Sequence, residues 1–320
     1  MSHSHIQQVF NAIIGQSVKD NTYKFALTKF LLDYAKNKKP EEKYLRVEYK
    51  QIAEKFLEYY WFQECKYKFK QDFKIKRMPV IIRIIREYCG EDYISESYEK
   101  YFEKKSDLKN TMIKEIENRC LQDVIPRLQP KEDYTLYRHY HILNDSGRKY
   151  RLPPLKKRYI DMNEEAFIYL REHHYELTKI LIYEWAKFLE RTNFTPRLIA
   201  KLESLGVHKR KSLKKFRDIL LSQMDAKCFY CDESVDSDNL HIDHFIPWSY
   251  IYEDDIWNLV ISCNKCNLKK SDSLAPLSCV RKIEQRNQQL QFKQLGREVR
   301  EYYDNCKKAG FLVLDNISCA

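Results

Sequence analysis

The chain runs to 320 residues, enough for about two domains with a buried core. Hydrophobic residues make up 43% and charged residues 32%, a globular composition that excludes a disordered chain, and no apolar run reaches the ~18 residues of a bilayer span. There are only 6 glycines, where a usual share of about 7% gives more than twenty; no GxGxxG or GxxxxGK[ST] string occurs, which excludes a dinucleotide fold and a phosphate loop. Scarce glycine also argues against a turn-rich all-β protein, so helix is expected to dominate.

Lys and Arg total 57 against 46 Asp and Glu, a formal charge of +11 that favours a polyanionic partner. Abundant Lys, Asn, Ile and Tyr also read as AT-rich coding, so charge alone leaves the partner open. The opening MSHSHIQQVFNAIIG lacks the pattern of a secretory signal, and with six scattered cysteines (Cys65, Cys89, Cys120, Cys279, Cys306, Cys319) of the small buried kind it predicts a cytoplasmic protein without membrane association.

In chain order, apolar residues at three- and four-residue steps predict amphipathic helices over 22–36, 47–63 and 78–88, and the charged segment 95–123 continues the pattern. The β-prone run Tyr134–Ile142, the turn signal Asn144-Asp-Ser-Gly147 and Tyr150–Leu152 predict a hairpin. A long helix is expected over 163–192, short ones after Pro196 and over 213–224, and a last one from Arg281 to Lys308. The domains expected are 1–200, helical with a small hairpin and serving regulation or substrate recognition; 201–280, a compact cysteine-containing domain; and 281–320, a C-terminal helix and tail.

The chemistry is concentrated in CFYCDESVDSDNLHIDHFIPWSYIYEDDIWNLVISCNKCNLKKSD, residues 228–272. Cys228, Cys231, Cys263 and Cys266 form two CxxC pairs whose spacing suits one Zn²⁺ in a closed four-thiolate shell, hence a structural ion. A redox or adaptor role for the same pairs is the competing reading.

Between the pairs lie His241-Ile-Asp243-His244 with the stretch DHFIPWS, an acidic turn before WNLV, and the ending CNKCNLKKSD. Here the chain resembles the HNH, or ββα-metal, nuclease family, over about its last third. The resemblance implies a zinc-stapled β-hairpin carrying Asp243 and His244 and a helix carrying Asn267. It implies His244 as general base, Asp243 and Asn267 as ligands of a catalytic Mg²⁺ or Mn²⁺, and Asn258 as the residue that holds the loop and the base. The second His of the family name is replaced by Asn267, an HNN form whose oxygen donors suit a hard cation.

Residue chemistry points the same way: a neutral imidazole accepts a proton from water near neutral pH, and a hard cation offsets charge on a phosphate. An N-cap role also fits Asn267, a core role fits Trp248 and Trp257, and a solvent-facing strand position fits His241. Lys269 and Lys270 on the expected helix are candidate phosphate contacts, as are Lys209, Arg210, Lys214 and Lys215 in the basic run HKRKSLKKFR (208–217), which reads equally as a solvated helix face. KYRLPPLKKRY (149–159) is a second basic stretch, interleaved with aromatics, and His173-His174 has no evident partners.

The fold expected is therefore a mainly helical N-terminal domain followed by a small α+β, ββα-metal domain. The expected activity is metal-dependent hydrolysis of phosphodiesters, in DNA by preference with RNA open, and the alternative is a non-catalytic zinc module that binds nucleic acid. The layout resembles bacterial restriction and anti-phage nucleases, which implies a partner protein or ligand that restrains cleavage.

Overall fold

The computed structural model describes residues 3–16, 21–38, 45–71, 78–90, 97–130, 133–147, 149–205, 212–290, 292, 298–315 and 317. It divides into two compact units, Met1–Thr192 and Asn193–Ala320, against expected boundaries at 200 and 280. No helix among the described residues is long and apolar enough to cross a membrane.

The first unit is helical. Helices α1 (His3–Asn11) and α2 (Tyr23–Asn37) precede strand β1 (Arg46–Glu48), α3 (Tyr49–Trp61) and α4 (Val80–Cys89). The pattern over 22–36 reads as amphipathic, yet α2 buries ten residues, from Tyr23 to Ala35, around most of its surface, as a central core helix does. Phe25 stacks on Trp185 at 5.8 Å, and buried Lys29 is matched by Asp33 at 2.8 Å. The helix expected over 95–123 is instead three pieces: α5 (Tyr98–Phe102), capped by the Ser97 hydroxyl, α6 (Ser106–Arg119) and α7 (Leu121–Arg127).

The hairpin expected over 134–152 divides between two sheets. Strand β2 (Tyr137–Arg138) leaves it to pair with β5 (Tyr159–Met162), giving the antiparallel order β1-β5-β2. Tyr137 explains the split: its ring is fully buried and its hydroxyl donates to the Ile125 carbonyl at 2.7 Å, so packing overrides local pairing. What remains is β3 (Ile142–Leu143) on β4 (Tyr150–Arg151), closed by the Asn144–Gly147 turn with Gly147 at φ +67°. The long helix over 163–192 breaks at His173 into α8 (Glu164–Glu172), capped by Asn163, and α9 (His174–Glu190). His174 lies 3.5 Å from Asp33, which gives that histidine a structural partner.

The second unit opens with α10 (Leu198–Glu203) and α11 (Lys214–Gln223) and holds one antiparallel hairpin, β6 (Leu240–His244) with β7 (Leu259–Cys263). Helix α12 (Trp248–Ile251) lies in the connection, and α13 (Asn264–Lys270) follows β7 directly, completing the ββα order. The single helix expected over 281–308 is two, α14 (Ser278–Gln289) and α15 (Val299–Lys308). Neither is a separate tail: Val280, Ile283, Val299 and Tyr303 share one core with Phe245, Tyr250, Trp257 and Ile261. Among the scattered cysteines, Cys65 and Cys120 are free and buried as expected and Cys306 is buried; Cys89 is only half-buried, Cys319 lies outside the described residues, and Cys279 departs from the expectation, being disulfide-bonded.

Candidate active site and metal centre

Each CxxC pair is built by a local backbone device. Asp232, in the left-handed region at φ +58°, sends its N–H to the Cys228 carbonyl at 2.9 Å and curls the first pair into a knuckle. The second pair sits where β7 becomes α13: Cys263 is the N-cap, and its Sγ accepts the Cys266 N–H at 3.4 Å. The Phe229 N–H donates to the Ile261 carbonyl at 2.8 Å and pins the first knuckle to β7.

The four sulfurs of Cys228, Cys231, Cys263 and Cys266 consequently lie within 4.8 Å of one another, with Cys231 and Cys263 Sγ 3.9 Å apart. Zn–S bonds of about 2.3 Å in a tetrahedron separate sulfurs by about 3.8 Å, so the donor set fits zinc in type, number and spacing. Burial pushes the Cys231 thiol up to about 11, a cost that a dication offsets by stabilising the thiolates. Among the described residues this is the one His/Cys/Asp/Glu group able to hold a metal with three or more ligands.

Neighbouring side chains on a strand point to opposite faces, and Asp243 and His244 accordingly meet different partners. The Asp243 carboxylate, largely buried, accepts the Tyr230 hydroxyl at 2.7 Å and the Lys270 ammonium at 3.2 Å, both on Oδ2. Tyr230 lies inside the first zinc knuckle, so the staple also sets this carboxylate. Burial, then the Asp243 charge, holds the Tyr230 phenol well above its ordinary pKa, so it remains a donor. His244 Nε2 sits 3.0 Å from Asp254 Oδ1. A carboxylate only accepts, so this bond puts the proton on Nε2 and the lone pair on Nδ1, which has no partner among the described residues.

Asn258 is fully buried and grips the chain just after His244: its Oδ1 accepts the Ile246 N–H at 2.8 Å and its Nδ2 donates to the Ile246 carbonyl at 3.0 Å. Arg286 on α14 reinforces the same place, donating to the Leu259 and Trp257 carbonyls at 2.7 and 3.0 Å. Trp257 is buried against Tyr302, and Trp248 packs on Tyr252.

Lys270 departs from expectation. Instead of facing phosphates it has no solvent exposure, and its ammonium bridges Asp243 and the His244 carbonyl, the latter at 2.7 Å. It thereby locks the last turn of α13 to the end of β6. Asn267 stands three residues earlier on that helix, on the face adjoining Lys270, half-buried and without a side-chain hydrogen bond among the described residues. Lys269, Lys214 and Lys215 are exposed, whereas Lys209 and Arg210 lie outside the described residues. Lys270→Met should leave the Asp243 carboxylate buried without its cation and destabilise the second unit by about 3–5 kcal/mol, read by denaturant melting.

Tyr230, Asp254 and Arg286 were not singled out by motif. Asp254 had a signal, the Glu253-Asp254-Asp255 run in the turn ahead of WNLV, but which of the three faces His244 is a matter of tertiary geometry. The chain has no match among curated proteins and none among solved structures. Residues 228–276 match the HNH endonuclease family, over the span that holds the four cysteines, the β6–β7 hairpin and α13. That zinc-ready ββα segment is an HNH endonuclease domain within a longer, mainly helical chain.

Proposed function

We propose that the protein is a metal-dependent endonuclease that hydrolyses phosphodiester bonds, with DNA as its substrate and bacterial restriction or anti-phage defence as its setting. The His244–Asp254 pair carries the reading: an imidazole at the end of a hairpin, held by a carboxylate through one nitrogen with the other left basic. In this reading His244 Nδ1 accepts the proton of the attacking water, and Asp254 holds the ring and its tautomer as the charge develops. Asn258 fixes the turn that aims the ring. Asp243 Oδ1 and the Asn267 amide oxygen, without partners among the described residues, are hard donors fitting Mg²⁺ or Mn²⁺, and the bound ion would polarise the phosphate and offset charge on the leaving 3′ oxygen. Lys270 already shares the Asp243 charge, so Asp243 and Asn267 alone would hold the ion and would leave room for substrate oxygens. Lys269, Lys214 and Lys215 serve the flanking backbone.

Supercoiled plasmid tests this with the zinc-loaded chain. Mg²⁺ or Mn²⁺ should convert it to open-circle or linear product, and chelation of the added cation should stop the reaction. DNA retention without cleavage under every cation would favour a non-catalytic zinc module instead, and faster cutting of RNA would move the substrate.

A further inference from the structure

The aromatic and basic stretch 149–159 finds no role in the nuclease site, and part of it lines a cavity of about 430 Å³ in the first unit, within the size range of small-ligand sites. Three separate parts of the chain meet there: Arg46 and Lys50 at the β1–α3 junction, Glu117 on α6, and Lys156 to Tyr159 at the entry to β5. Four cationic side chains face two carboxylates, Glu48 and Glu117. With Asp161 bound to Arg46, three carboxylates answer the four cations, so the hollow keeps a modest positive excess that an anion would complement.

The cations divide into two kinds. Arg46 is preset: its Nε bonds Asp161 at 3.1 Å and its guanidinium lies over the Tyr159 ring at 3.7 Å, so the planar group is oriented while its terminal nitrogens stay unspent among the described residues. Arg158 is likewise tied, through Nη1 to Asn118 at 2.8 Å and to Glu117 at 3.9 Å, with Nη2 left over among the described residues. Lys50 and Lys156, by contrast, make no direct ion pair or hydrogen bond among the described residues, although the Lys50 charge acts on Glu117. Two oriented guanidinium groups and two ammonium groups without a direct contact among the described residues are the donor set that phosphate oxygens take, the fork for planar bidentate contact and the lysines as point charges. Beside them Leu155 is 76% exposed, an apolar surface at the edge of a charged hollow. Glu117, its pKa raised by burial, supplies a carboxyl that suits a hydroxyl or exocyclic amine.

We infer that this cavity binds a free phosphorylated ligand of nucleotide size, its phosphates on Arg46, Lys50, Lys156 and Arg158. The volume suits one nucleotide and is too small for a duplex, which needs a groove open along its length. The inference stands apart from the nuclease reading, because it concerns the other unit and its test reads no cleavage.

The test is calorimetric titration of the full chain with pyrophosphate, ATP and a 20-mer DNA duplex as separate probes. Pyrophosphate and ATP should each bind saturably at one site per chain and weaken as salt rises. Lys50→Glu with Lys156→Glu should weaken both by about tenfold or more, with the thermal melt unchanged because both side chains are exposed. Should that pair fail to fold, the single Lys156→Ala variant should still weaken binding severalfold. Absence of saturable binding by pyrophosphate and ATP, unchanged affinity in the folded variants, or binding at these residues by the duplex alone would each overturn the assignment.

Discussion

His244→Ala should abolish plasmid cleavage, lowering the rate by about 10²–10⁴-fold while DNA binding and the thermal melt stay close to wild type. Among the described residues the imidazole's hydrogen-bond partner is Asp254, on a turn, and the backbone around it is held independently by Asn258, Arg286 and Lys270. Truncating the ring would delete the proposed proton acceptor and its bond to Asp254 while leaving the bonds that Asn258, Arg286 and Lys270 make to the loop in place. Asp254→Asn discriminates further: the amide no longer enforces the Nε2–H tautomer or stabilises the charged ring, so kcat should fall by about tenfold or more with KM little changed. In the His244→Ala background Asp254→Asn should add nothing, since its action passes through the ring. A cleavage rate that survives His244→Ala, or two losses that simply multiply, would defeat this division of labour.

The candidate site was legible because it is written in local spacing. Two CxxC pairs state a ligand number, and an Asp-His pair followed by Pro247 and Asn258 fixes where a strand ends and a turn begins. What stayed hidden depends on long-range placement. Tyr230 and Asp243 are 13 residues apart, Lys270 and the His244 carbonyl 26, and Arg286 and Leu259 27, separations over which a linear pattern carries no register. Lys270 shows the hazard most clearly: a lysine at a helix end beside a nuclease motif reads as a phosphate contact, and only the fold reveals the buried carboxylate it pairs with. The helical unit was legible as a set of apolar periods, but not in its interruptions. His173 breaks one long period by leaving the helical region, at φ −100° and ψ 19°, although both halves pack on α2, and Tyr137 draws its strand out of a hairpin that local propensity favours.

Stripping the zinc should unfold the second unit and leave the first folded. Structural zinc sites of this donor type carry apparent binding energies of about 10–16 kcal/mol near pH 7, comparable to the whole stability of a domain this size. The coupling has a specific route. Cys263 ends β7, caps α13 and supplies a sulfur, while Tyr230 inside the other knuckle holds Asp243. Loss of the ion therefore frees α13 from the hairpin and the carboxylate from its donor in one event. Cys263→Ser, purified with metal analysis, should retain far less than the about one zinc per chain expected of wild type and should fail to cut plasmid even with Mg²⁺ or Mn²⁺ in excess. Trp248 and Trp257 report on the second unit, Trp61 and Trp185 on the first, so single-tryptophan variants can follow the two units separately during chelation. Zinc added back should restore the second unit's fluorescence before any catalytic cation is supplied, and cleavage should return only when Mg²⁺ or Mn²⁺ follows. If Mg²⁺ alone rescues the chelated chain, or if the four thiols titrate freely with oxidant in the protein as purified, the sulfurs are not a structural zinc staple and the redox reading of the CxxC pairs takes its place.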